Sequence, residues 1–136
     1  MKNISPMWIT IDSDDVFHHP KYQGHPTRSK KKMDDSKTTE FMISAINKFE
    51  KWHLQNSHIP VTIFTIGKQL ECETFKKKIN NLISSSKKCN GSITIGCHGY
   101  QHKCWSAFKP NQKLFEDDLR KAKEILIKFA GNSWRP

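Results

Sequence analysis

Three short runs constrain this chain most: MWITID at 7–12, VTIFTIG at 61–67 and SITIG at 92–96. Each is apolar and rich in β-branched residues, each is too short for a globular helix, and each closes on an acid or a glycine. That combination marks a buried strand ended by a turn. Between and after them, apolar residues recur at spacings of three and four instead. Phe41, Met42, Ala45, Ile46, Phe49 and Trp52 form one such stripe, with Ser36 or Thr38 available as N-cap. A weaker stripe runs through Phe75, Ile79, Leu82 and Ile83. A stronger one runs through Leu114, Phe115, Leu119, Ala122, Ile125, Leu126 and Phe129 and is closed by Gly131.

Strand and helix alternating three times over is the grammar of parallel β/α units, so the expectation is an α/β fold of parallel strands with covering helices, as an open sheet or a barrel. A chain of 136 residues holds one core of this kind, which makes residues 1–136 a single domain. The stretch VFHHPKYQGHPTRSKKKMDD, rich in Pro, Gly, His and Lys, reads as a long loop after the first strand.

In parallel β/α folds chemistry gathers beyond the carboxyl ends of the strands. Here those ends carry Asp12, Ser13, Asp14 and Asp15, then Gly67 and Lys68, then Cys97, His98 and His102. Seven histidines in a chain of this length place roughly 0.3 pairs at spacing four by chance, so spacing alone says little about His98 and His102. Their placement at a strand end, facing acids at another, is what points to a metal. One carboxylate and two imidazoles suit Zn²⁺ or a similar divalent ion such as Co²⁺ and leave coordination positions open for water, as catalytic sites do. A competing set, Cys97, His98, His102 and Cys104, would need the adjacent Cys97 and His98 to point the same way and ranks lower. Taken alone, the acids could equally form a turn. His18, His19, His25, His53 and His58 have no comparable partner and read as surface groups.

Twenty-three Lys and Arg against thirteen Asp and Glu give a formal charge of +10, which attracts polyanions. Much of it is lysine on helical stretches, and no aromatic residues interleave with it as a stacking platform requires, so nucleic acid is not an expected partner. The basic run TRSKKK reads as loop. Cys72, Cys89, Cys97 and Cys104 lack C-x-x-C spacing and read as free thiols. No apolar run near Met1 is long enough for a signal peptide or a membrane span, which by default suggests the cytoplasm.

In order, ITIDSDD, VTIFTIGKQLE, ITIGCHGYQH and EDDLRKAKEILIKFAGNSWRP resemble successive motifs of the polysaccharide deacetylases, the NodB-type carbohydrate esterases, across nearly the whole chain. The resemblance implies an incomplete (β/α) barrel of that type, ending at Trp134, Arg135 and Pro136 where the family's third motif begins. It implies Asp12 as catalytic base and Asp14 as metal ligand, with Asp15 the substitute if the register differs by one. It implies His98 and His102 as the other ligands, with Gly99 standing where the family usually has Ser or Thr. Arg135 corresponds to the arginine that orients the catalytic acid. The implied activity is metal-dependent hydrolysis of N-acetyl groups on an N-acetylglucosamine-containing polysaccharide or oligosaccharide, of chitin or peptidoglycan type. No residue takes the place of the family's later histidine, the general acid, so a relative that only binds metal or glycan is the other expectation.

Overall fold

The computed structural model describes residues 7–18, 21–25 and 36–135. His19, Pro136 and the TRSKKK run lie outside them. Three strands, β1 (Ile9–Asp12), β2 (Val61–Thr65) and β3 (Ile93–Cys97), form a parallel sheet in the order β1-β2-β3. Three helices follow them in turn: α1 (Glu40–Gln55), α2 (Glu73–Lys88) and α3 (Gln112–Ala130). The expected α/β architecture of parallel strands and covering helices is present. After α3, Trp134 pairs with Ile95 in parallel and the Arg135 amide donates to the Ile95 carbonyl at 3.0 Å, so the backbone enters a fourth strand position beside β3.

Register explains why the strands are short apolar runs. Ile11, Ile63 and Ile95 stand in one row and Ile9, Val61 and Ile93 in the next. Alternation puts all six on one face, where they meet Phe75, Ile79, Leu82 and Ile83 of α2 and Ala122 and Leu126 of α3 in a single core. β2, the middle strand, is buried at every position except Phe64, as a strand with neighbours on both sides requires. Gly96 is needed where it stands, because a Cβ there would lie 2.6 Å from the Phe64 ring.

The helices differ from their sequence patterns in an instructive way. α2, from the weaker stripe, buries all four of its predicted apolar residues. α3, from the stronger one, buries only Ala122 and Leu126, while Leu114, Phe115 and Leu119 are exposed. α1 packs mainly on α2; it buries Ile46 but leaves Phe41 84% exposed. Its N-cap is Thr39, not Ser36 or Thr38: the Thr39 hydroxyl accepts from the Met42 amide at 3.1 Å. Gly131 does close α3, with φ +50. The stretch after β1 is not plain loop in its described part, which contains the single 3₁₀ turns Val16–His18 and Lys21–Gln23. No described helix is long and apolar enough to cross a membrane.

Candidate metal centre

Three consecutive residues after β1 take three different partners. The Ser13 hydroxyl donates to Gln69 Oε1 at 2.8 Å while Gln69 Nε2 donates to the Ser13 carbonyl at 2.6 Å, fixing Ser13 to the 3₁₀ turn Gly67–Glu71 that follows β2. Asp15 turns the other way, to the start of α1. Its carboxylate accepts from the Thr39 amide (2.8 Å), the Thr39 hydroxyl (2.8 Å), the Thr38 hydroxyl (3.0 Å) and the Val16 amide (2.7 Å). Burial pushes the Asp15 pKa up, but those donors together outweigh it and hold the group below its ordinary value. Asp15 is therefore a structural anchor, and its part as substitute ligand does not hold. Between these two anchors Asp14 points toward the end of β3.

There the segment CHGYQH is tied down from both sides. The His98 amide donates to the Thr65 carbonyl (3.1 Å), the Gly67 and Lys68 amides donate to the Gly99 and Tyr100 carbonyls (2.9 Å each), and Asp118 of α3 accepts from the Tyr100 amide at 2.9 Å. Gly99 has φ +74, which gives a physical reason for glycine at this position. His102 also lies in the left-handed region, φ +53, without glycine's freedom.

This scaffold brings Asp14, His98 and His102 together, with ligand atoms all within 4.8 Å of one another. His98 Nε2 lies 3.4 Å from Asp14 Oδ1, and His102 Nε2 lies 3.5 Å from Asp14 Oδ2. Both exceed the ~2.7–3.2 Å of a good N–H···O bond. Each imidazole faces a different oxygen of the one carboxylate, at a separation comparable to the roughly 3.3–3.4 Å between neighbouring ligands that lie ~2.0–2.1 Å from a zinc ion. A second observation agrees: His102 Nδ1 lies 2.6 Å from the His18 carbonyl. A carbonyl only accepts, so Nδ1 carries the proton and Nε2 keeps its lone pair toward Asp14 and His98, the usual arrangement of a ligating histidine. The residues present fit a divalent ion. The Asp14 carboxylate raises the His98 pKa, first as a long, weak hydrogen-bond acceptor and further as a charge; burial opposes it and Asp12 adds to it.

Of the other expected site residues, Asp12 ends β1 exposed, close enough for its charge to act on His98. Arg135 is elsewhere. Its backbone pairs level with the middle of β3, and its guanidinium donates to the Asn132 (3.2 Å) and Trp134 (2.7 Å) carbonyls beside a cavity of about 190 Å³ that Ser92 and Ile93, at the amino end of β3, also line. The structure does not bring Asp12 and Arg135 together. The four-residue Cys/His set also fails. Among the described residues Asp14, His98 and His102 form the one cluster of metal-ligating groups, while Cys97 packs against the core, where burial, with some help from the Asp118 charge, pushes its thiol pKa up. All four cysteines are free.

Three histidines read as surface groups are not. His53 is fully buried against Ser86. His18 is buried, its Nδ1 accepting from the Asp15 amide at 2.8 Å. His25 stacks on His102 with ring centroids 4.8 Å apart. Among the described residues, His58 alone of this group is exposed as expected. A cavity of about 300 Å³ adjoins the trio, lined by His25, His98, His102, Trp105, Phe115 and Asp118 among others.

No family model matches this chain, and no curated protein or solved structure matches it.

Proposed function

We propose that the chain is a metal-dependent hydrolase that removes N-acetyl groups from an N-acetylglucosamine-containing polysaccharide, built on part of a (β/α) barrel of the polysaccharide deacetylase type. The observation that carries the reading is the Asp14, His98 and His102 trio, its ligand atoms gathered within 4.8 Å of one another at the carboxyl ends of β1 and β3. Zn²⁺ is the natural occupant, with Co²⁺ an equivalent for this donor set.

When bound, the ion supplies Lewis acidity for the amide carbonyl and lowers the pKa of water. The protein's part is to hold and to accept protons. Asp14, His98 and His102 present one donor atom each, with the His102 tautomer set by the His18 carbonyl. Asp12, exposed and beside His98, is the base that takes the proton of the attacking water. The adjoining cavity, with Trp105 and Phe115 in its wall, offers an apolar surface to a sugar ring.

The second reading, metal binding without turnover, draws on Arg135, whose guanidinium is engaged away from Asp12. One experiment separates the two. Metal content, Zn²⁺ affinity and acetate release from a chitooligosaccharide are measured for the wild type, Asp12→Asn and the double variant Asp14→Ala, His98→Ala. The hydrolase reading expects stoichiometric metal and acetate release in the wild type, and in Asp12→Asn retained metal with turnover lower by about 100-fold or more. Stoichiometric metal with no acetate release selects the second reading, and a wild type that binds no metal refutes both.

A further inference from the structure

The sequence offers no reason to connect His18, Gln23 and His25, well past the acids that end β1, with a ligand that follows β3, yet the two segments touch there at three points. The His18 carbonyl accepts from His102 Nδ1 at 2.6 Å. The Cys104 amide donates to the Gln23 carbonyl at 3.0 Å. His25 Nε2 lies 2.7 Å from the His102 carbonyl, and the His25 ring lies on the His102 ring with an interplanar angle of 18°. Because the carbonyl only accepts, His25 must carry its proton on Nε2.

His102 needs such support. A β-carbon residue at φ +53 persists only where its surroundings over-determine it, and a ligating ring must be held in rotation as well as tautomer. The His18 contact sets the tautomer. The His25 hydrogen bond to the carbonyl of that same residue restrains the strained peptide itself.

We infer that His25 is a positioning residue for the metal centre: its Nε2–H, donated to the His102 carbonyl, holds the His102 imidazole in its ligating orientation. The inference rests on the metal-site part of the function proposed above and not on the identity of the substrate. His25 touches no ligand atom in this role; it acts through His102.

The test is Zn²⁺ competition against a chromophoric chelator, with the visible spectrum of the Co²⁺-loaded protein as a second readout, on the full chain carrying His25→Ala, His25→Gln or His25→Phe. Removing an outer partner of a ligating histidine weakens metal binding about 10- to 100-fold, and that loss is expected for His25→Ala together with an altered Co²⁺ spectrum. His25→Gln, which keeps an N–H donor on a comparable reach, recovers most of the affinity. His25→Phe, which keeps the stacked ring without the donor, does not. Affinity within twofold of wild type in His25→Ala overturns the inference, as does rescue by Phe but not Gln. The Gln and Phe pair carries the test if the Ala variant proves unfolded by metal-free circular dichroism. A wild type that binds metal but releases no acetate leaves this inference standing while the hydrolase reading falls; a wild type without metal removes both.

Discussion

The two ends of the sheet each hold buried or half-buried histidine beside a non-glycine residue in the left-handed region, and they use them in opposite ways. At the amino end, His53 Nε2 lies 2.8 Å from Ser86 Oγ, its Nδ1 has no hydrogen-bond partner, and Phe49 stacks on the ring. Burial pushes its pKa down. Asn90, φ +53, ends the turn after α2, a place where asparagine is at ease. At the carboxyl end, His98 and His102 face Asp14, the His98 pKa is pushed up, and the residue at φ +53 is a histidine fixed by contacts from a distant segment. The same side chain and the same backbone conformation are a packing solution at one end and the support of a charge at the other. The neighbours decide, not the residue type.

The largest effect expected is on the ion. Asp14→Ala should abolish stoichiometric binding, lowering Zn²⁺ affinity by at least about 100-fold, since even outer-partner losses reach that size. In chelator-treated protein its unfolding free energy should change by less than about 1 kcal/mol, because the trio supplies little packing. His53→Ala should do the reverse, costing about 2–3 kcal/mol in urea unfolding with metal affinity unchanged. If His53→Ala weakens metal binding as much as Asp14→Ala does, the ends are coupled and the contrast fails.

Asp15 sharpens the contrast within a single end, because it stands next to a ligand yet is built as an anchor. Asp15→Ala strips four donors of their acceptor and should destabilise by about 2–4 kcal/mol. Thermal or urea unfolding of the metal-free chain checks it. A loss under 0.5 kcal/mol, of the order of an ordinary surface substitution, would show that α1 does not depend on this carboxylate.

Gly24 probes the support of His102 from the backbone next to His25. It has φ +91, and a Cβ there would lie 2.6 Å from Ala107 Cβ and 3.1 Å from the Cys104 carbonyl. Gly24→Ala must therefore move the segment that carries His18 and His25 against the one that carries His102. The expected result is a stability loss of roughly 1–2 kcal/mol and a several-fold drop in Zn²⁺ affinity by chelator competition. Unchanged affinity would mean that the segment can shift without taking His102 with it.

How much of this was legible in the sequence follows from which interactions are local. The three strands were, because a central parallel strand must be apolar almost throughout, and their bounds moved only by a residue or two. Their shared carboxyl end was legible by topology, and with it the meeting of Asp14, His98 and His102. Burial was not: counting apolar residues ranked α3 above α2, but the sheet covers α2's stripe and only part of α3's. The N-cap was misassigned because Asp15 selects Thr39 from 24 positions away. The position of Arg135 was not legible for a related reason, since it depends on strand register at Ile95. His18 and His25 reach His102 only through the path of the β1–α1 connection, which no periodicity records.

The smallest effect tests the amino end by titration. A neutral His53 satisfies Ser86 with one nitrogen, whereas a protonated one would bury a second N–H without a partner, which is why its folded pKa is depressed. The unfolded chain titrates at the ordinary value near 6.5. Between the two pKa values the unfolded state holds more protons, so the His53 contribution is fully present above pH 6.5 and is lost as pH falls from there through the folded pKa. The slope in that window is at most about 1.4 kcal/mol per pH unit. His53→Gln keeps a polar group for Ser86 but does not titrate. In chelator-treated samples, the difference in unfolding free energy between wild type and His53→Gln cancels the other titrating groups, including His98. It should be flat above pH 6.5 and turn against the wild type below it. A difference that stays flat to pH 5 would place His53 in water rather than in the core, and would erase the electrostatic contrast between the two ends.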